Sequence, residues 1–347
     1  MIWIALLLFI SVLPEIALGI PVTTLPERPQ FELGDVLMAP AAPTDSRLNE
    51  ALQLVRANKL DEAIPLLRAL LNDTPASAPG HELLGATLVL KGQVDEGMRE
   101  LEEAVRVDPK QSSAYTKIGD VLLMKGKTDE AMAAFRKAVD ITPQDSLAHQ
   151  RIGLLLDEAH KVKEAIEHYE LGLKGTSSDY VGIKVDLARL YVQTGESKKA
   201  IELIGKLIPD SAPSAPAHLT LGHAFLGQRS LEEAVHQYEL AVKFDPKMTD
   251  ALLALGGAYR GQGRYPESLK VLQQFVGEQP EQSTGYFQLG ETHFAMKEYD
   301  KALAQFEKAK TLSKNPLHIV QRIADVYVQQ KRFDKATALY KTLIASK

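Results

Sequence analysis

Large apolar side chains fall on a helical rhythm along most of this chain, and two such stripes alternate. In one stretch Tyr115, Ile118, Gly119 and Leu122 stand at i, i+3, i+4 and i+7, the apolar face of one helix. Gly126 follows as a turn residue. Asp129-Glu130 then places negative charge where the unpaired N–H groups and dipole of a second helix favour it. Ala131, Phe135 and Ala138 form the second stripe, and Pro143 stops that helix. Gly119 and Ala131 let two backbones approach closely, with Phe135 filling the wedge between them. Helices of about 12–14 residues are marginal alone, so stacking has to supply the stability.

The paired stripes repeat. The small residue that opens the second helix recurs at Ala63, Gly97, Ala131, Ala165, Ala200, Ala234, Ser268, Ala302 and Ala336, in steps of 34 apart from one of 35. First-helix small residues are Ala51, Gly85, Gly119, Gly153, Ala188, Gly222, Gly256, Gly290 and Ala324. The bulky second-helix position reads Leu67, Leu101, Phe135, Tyr169, Ile204, Tyr238, Leu272, Phe306 and Tyr340. Stop prolines stand at Pro75, Pro109, Pro143, Pro246 and Pro280, and Pro266 sits at a helix start. Nine copies thus run from about residue 44 to the last residue. A fixed period of this length marks helix–turn–helix units that each touch only their neighbours.

These residues resemble the tetratricopeptide repeat family, whose pattern is a large residue, then Leu-Gly, then Tyr, with Ala, Phe, Ala and Pro at later offsets. The resemblance covers nearly all of 44–347 and implies an all-α, right-handed superhelical solenoid that binds other proteins or peptides. His81, His149 and His218 stand where the family often carries Trp or another large residue, and are read as partly buried packing within a repeat. The first copy has Arg47 and Glu50 at usually apolar positions, as expected of a terminal cap. The 35-residue step coincides with Gly175-Thr-Ser-Ser-Asp179, and the fifth copy ends in Pro209-Asp-Ser-Ala-Pro213-Ser-Ala-Pro216. A hinge is expected across 175–216, between 44–179 and 180–347.

The N-terminus is a different material. Ile2 to Leu13 is apolar apart from Ser11, and Ala17 and Gly19 occupy the −3 and −1 places of a signal-peptidase site before Ile20. That run has the length of a signal h-region, while spanning a bilayer takes about 20 residues. Residues 1–19 therefore read as a signal peptide, and the chain as exported, periplasmic or secreted. The n-region is atypical of a signal in having no Lys or Arg, and the alternative is an uncleaved membrane anchor over 2–22, disfavoured because Pro14 and Glu15 would lie inside the membrane. Membrane contact is expected through this segment alone. Residues 20–43 read as a tether, with Pro21, Pro26, Pro29, Pro40 and Pro43 blocking helix. One island, Phe31-Glu32-Leu33-Gly34-Asp35-Val36-Leu37-Met38, is too apolar for a pure linker. It suits local packing on the first repeat or a strap in the groove.

Charge and composition remove several functions. A net charge of −5 with both signs interspersed argues against nucleic acid as partner. With no cysteine there is no disulfide, thiolate metal site or cysteine nucleophile. Gly126-Lys127-Thr128 mimics the end of a phosphate loop, but Val121 replaces the earlier glycine and no strand precedes it. His160, Glu164 and His168 are spaced like metal ligands, yet His160 falls in the inter-helix turn. No cofactor and no enzymatic activity is expected.

Binding chemistry is sought on the remaining face of each first helix, which in the family lines the concave side. Its last row reads Val55, Val89, Leu123, Asp157, Val192, Leu226, Arg260, Phe294 and Val328, seven of nine apolar. The middle row includes Asp120, Leu154, Arg189, His223 and Glu291, and the first row Gln150, Leu253 and Phe287. An apolar rail with sparse charges of both signs suits an amphipathic helix or an extended apolar segment. The alternative is that some of these residues pack sideways on neighbouring first helices. Relatives that bind chaperones use a Lys/Asn/Arg clamp, and the matching positions here hold no such set. At the other end, Leu343 and Ile344 follow the last stripe with no solvating helix after them, so self-association there is a further expectation.

The expected role is a scaffold for envelope or periplasmic assembly, such as secretion, polysaccharide export, pilus assembly or cytochrome maturation. A membrane-anchored adaptor facing the cytoplasm and an accessory subunit presenting substrate to an enzyme are the alternatives.

Overall fold

The computed structural model describes residues 45–174, 181–210 and 214–345. The proposed signal peptide and tether lie outside the described residues, as do 175–180 and 211–213 within the expected hinge. The rest is helix throughout, in two compact units that meet in sequence between Leu187 and Ala188.

The unit ending at Leu187 contains α1 (Ser46–Arg56), α2 (Leu60–Asp73), α3 (Ala78–Leu90), α4 (Val94–Val107), α5 (Ser112–Met124), α6 (Thr128–Ile141), α7 (Ser146–Glu158) and α8 (Val162–Lys174). Helix α9 (Val181–Gln193) carries the boundary. The second unit continues with α10 (Ser197–Ile204), α11 (Ala215–Gly227), α12 (Leu231–Phe244), α13 (Thr249–Gly261) and α14 (Tyr265–Glu278). It closes with α15 (Ser283–Ala295), α16 (Tyr299–Leu312), α17 (Leu317–Gln329) and α18 (Phe333–Ala345). Odd-numbered helices are the first of each pair. Helix α10 is shorter than its counterparts, with Gly205 as its C-cap and Pro209 soon after.

The periodic small residues are where the helices touch. All nine first-helix and all nine second-helix small positions are buried. Between them lies the bulky residue, fully buried from Leu67 to Phe306, while Tyr340 is half-buried and donates to Asp325 at 2.5 Å. A Cβ built on Gly119 would overlap the Phe135 ring, so the pair fixes how near α5 and α6 can come. Ser268 replaces alanine without leaving an unpaired hydroxyl, because its Oγ donates to the Gly256 carbonyl at 2.7 Å.

The inter-helix turns repeat as strictly as the core. Positive φ occurs at Asn58, Gly92, Gly126, His160, Gly195, Arg229, Gly263, Lys297 and Lys331, one per copy. After α5 the Gly126 N–H bonds the Leu123 carbonyl and the Lys127 N–H the Leu122 carbonyl, both at 2.9 Å. This is the left-handed helix ending that absorbs orphan carbonyls. His160 sits at such a turn, exposed and apart from the α8 face.

The three histidines brace their repeats. His81 Nδ1 meets Glu100 at 2.7 Å, His149 Nδ1 meets His168 Nδ1 at 3.0 Å, and His218 Nδ1 meets the Gln237 amide oxygen at 2.8 Å. In each case the partner lies on the second helix of the same pair. His149 Nε2 also donates to the Pro143 carbonyl at 3.2 Å, which leaves its Nδ1 to accept from His168. Burial and the neighbouring His149 hold the His168 imidazole below its ordinary pKa.

Two substitutions separate packing from backbone strain in urea unfolding. Gly119→Ala is expected to lower stability by about 1–3 kcal/mol through overpacking against Phe135. Gly126→Ala, where a Cβ meets nothing within 4 Å, is expected to lose only the left-handed backbone preference, about 1 kcal/mol, and Arg229→Gly to gain a similar amount.

Candidate functional site

The first helices carry the residues selected for partner binding, and the two units treat them differently. In the 45–187 unit Asp120, Leu123, Leu154 and Asp157 are only 2%, 7%, 5% and 3% exposed. Gln150 is half-buried. In the 188–345 unit Arg189, Val192, His223, Leu226, Arg260, Phe287, Glu291 and Phe294 are all half-buried.

The charges on these faces clasp adjacent repeats. Lys117 Nζ on α5 donates to Glu82 Oε1 on α3 at 2.8 Å, with side chains 4% and 6% exposed. Ser113 and Gln111 donate to the second Glu82 oxygen. One repeat further on, Arg151 Nε on α7 donates to Asp120 Oδ1 on α5 at 2.8 Å. The second unit has the same device. Arg260 Nη1 on α13 donates to the Gln288 side-chain oxygen on α15 at 2.6 Å. Glu291 on α15 accepts from Arg322 on α17 at 2.6 and 3.0 Å, a two-bonded fork. Such rungs link helices about one repeat apart in sequence. They hold neighbours in register, which is the sideways packing that sequence patterning had left open.

Electrostatics follow from this geometry. Burial presses the Arg260 guanidinium below the usual arginine range, partly countered by Glu291. Burial acts the same way on Arg322, but its hydrogen bonds to Glu291 and the charges of Glu291 and Asp325 outweigh it and raise its pKa. Phe294 lies under the Arg322 guanidinium at 4.7 Å, and Phe287 packs on Phe306 and His318. His223 is different. Its Nε2 is buried without a hydrogen-bond partner, its ring stands edge-on to Tyr238, and burial lowers its pKa to about 4.

Among the described residues no group of three His, Asp or Glu side chains is placed to hold a metal ion. None of the described helices is long and apolar enough to cross a membrane. Leu343 is half-buried and Ile344 exposed on α18. The charged inter-repeat rungs had only a faint sequence signal, opposite charges on first helices separated by 31 to 35 residues.

A small residue, a bulky residue and a left-handed turn in register over successive helix pairs match a known family pattern. The pattern described as "Tetratricopeptide repeat" matches residues 84–146, 219–283 and 253–316. Residues 84–146 and 219–316 carry tetratricopeptide repeats. Among solved structures, a tetratricopeptide repeat protein from Parabacteroides merdae is similar over 72% of this chain and 98% of its own, at 17% identity and TM-score 0.50. A chain of the APC/C hetero-tetramer Cut9-Hcn1 is similar over 82% of this chain, at 16% identity and TM-score 0.57. The repeat array here spans about half of that chain, 55% of its length. These likenesses show the fold. No curated protein matches the chain in sequence.

The buried rung and the buried imidazole each give a measurable consequence. Lys117→Met is expected to cost roughly 3 kcal/mol by stranding the Glu82 carboxylate, and Glu82→Gln added to it to recover most of that loss in thermal unfolding. For His223 the folded pKa lies below the unfolded value of 6.5. The unfolded chain thus binds the proton first, and stability falls as pH drops from 6.5 towards about 4. His223→Leu is expected to flatten this window by roughly 2–3 kcal/mol in urea titrations at successive pH values.

Proposed function

We propose that this protein is a non-catalytic scaffold that holds segments of other proteins against its first-helix faces, in the assembly of envelope or periplasmic machinery. Tetratricopeptide repeat proteins are generally protein–protein interaction scaffolds. The observation that carries the reading here is the strip formed by Leu253, Gly257 and Arg260 on α13 and Phe287, Glu291 and Phe294 on α15. All six are half-buried, so a partner can still reach them. Aromatic side chains and arginine are enriched in protein interfaces, and arginine is among the residues that dominate binding energy when a partner removes water from it. The glycine leaves a shallow place where a partner's side chain can sit, since a Cβ there would meet nothing within 4 Å. An amphipathic helix or an extended apolar segment fits this chemistry.

Export is supported by the apolar run from Ile2 to Leu13 followed by Ala17 and Gly19. The lack of Lys or Arg before that run favours the second reading, an adaptor anchored through 2–22 and facing the cytoplasm. The intact mass of the protein from its native source separates the two, since export with cleavage predicts a chain beginning near Ile20.

Leu226→Asp combined with Leu253→Asp is expected to weaken capture of the native partner at least tenfold while shifting the thermal midpoint by no more than a few degrees. Equal loss of binding and stability would identify these residues as core and remove the strip from consideration. A partner that is an enzyme with lower activity alone than in the complex would assign the accessory-subunit role instead.

A further inference from the structure

The same two positions, 19 residues apart, are bridged in three repeats, and the chemistry of the bridge differs each time. His81 meets the Glu100 carboxylate, His218 the Gln237 amide oxygen, and His149 a second imidazole, His168. A carboxylate or amide oxygen accepts from the facing Nδ1, so protonating the histidine leaves those two bonds in place. The imidazole pair has no such freedom. His149 Nε2 donates to the Pro143 carbonyl at 3.2 Å, so its Nδ1 holds the lone pair that accepts from His168 Nδ1 at 3.0 Å. A first added proton goes to His168 Nε2 and leaves this bond intact. A second must go to His149 Nδ1. Two N–H groups on two cations would then face each other across 3.0 Å with no acceptor between them.

We propose that the His149–His168 bridge is an acid-released latch, which ties α8 to α7 near neutral pH and lets go when the second ring takes up a proton. The groups that act on His168 come from three helices. Burial, His149 on α7 and Arg136 on α6 disfavour its cation, and Glu164 on α8 opposes them. Behind the latch the two helices are in close contact. A Cβ on Gly172 of α8 would lie 3.2 Å from the His149 Cβ, and Ser146 Oγ on α7 donates to the Gly172 carbonyl at 2.7 Å. Opening the bridge loosens α8, the last second helix of the unit that ends at Leu187. The direction follows from proton counting. Below the ordinary histidine pKa of about 6.5 an opened repeat binds two protons on this pair and the closed repeat one. Opening therefore takes up one proton more, and its equilibrium constant rises by up to about tenfold for each pH unit below that value. The carboxylate and amide bridges carry no such conflict, so acid loosens one repeat selectively. This inference concerns a conformational change within the chain and stands apart from the scaffold reading.

Hydrogen exchange of the full chain at pH 7 and pH 5, corrected for the intrinsic pH dependence of the chemistry, tests the latch. Protection in 162–174 is expected to fall by about tenfold or more over this range, while protection in 94–107, behind the His81 bridge, changes by less than about threefold. His168→Gln copies the pair that the chain already uses at His218 and Gln237. In that variant 162–174 is expected to be equally protected at both pH values. Imidazole nitrogen shifts of the native chain give a second reading that needs no substitution. Near pH 7 His149 Nδ1 is expected to carry no proton, and a proton is expected to appear there as protection is lost. Protection in 162–174 that is independent of pH overturns the proposal. A fall shared equally by 94–107 marks general acid unfolding and overturns it too, as does a fall that persists undiminished in His168→Gln.

Discussion

The contact between a small residue on one helix and a large residue on the next carries this architecture. Gly119 against Phe135 shows why. The glycine removes the one atom that would collide with the ring, and the ring fills the space between two helices that are each too short to persist alone. Apolar burial at such a contact contributes about 25 cal/mol for each Å² removed from water. Its recurrence, rather than its size in any one copy, makes the array stable, because each pair supports the next. The left-handed turn belongs to the same constraint. It reverses the chain within a few residues, so that the two contact positions can meet.

Polar chemistry is subordinate to that packing but decides register. Glu82 with Lys117 and Asp120 with Arg151 tie successive first helices in one unit, and Arg260 with Gln288 and Glu291 with Arg322 do so in the other. A buried ion pair adds little net stability over well-packed apolar residues of the same volume, yet leaving one member alone is costly. Such rungs therefore penalise a stack slipped by one position more than they reward the correct one. The histidines act within a repeat in the same spirit, tying a first helix to its own second helix.

Helix positions and repeat boundaries were legible from residue types, since Ala, Gly, Phe, Tyr and Pro each have one geometric use in this unit. Even the odd step between Ala165 and Ala200 was visible as an extra residue. The face chosen for binding was legible only in part. Asp120 and Glu291 share one register position, but the first is buried and the second half-buried. Residue type and spacing cannot report what packs against a helix face, because that depends on segments far away in sequence.

The order of side chains alone thus determined the paired-helix unit, its number and its turns, because those rest on contacts between residues fewer than 25 or so apart. Tertiary structure alone decided which polar groups find partners one repeat away, where an imidazole such as His223 loses its solvent, and which first helices keep an open strip. Those outcomes depend on distances across the stack, where a shift of a few ångströms separates a hydrogen bond from an unpaired group.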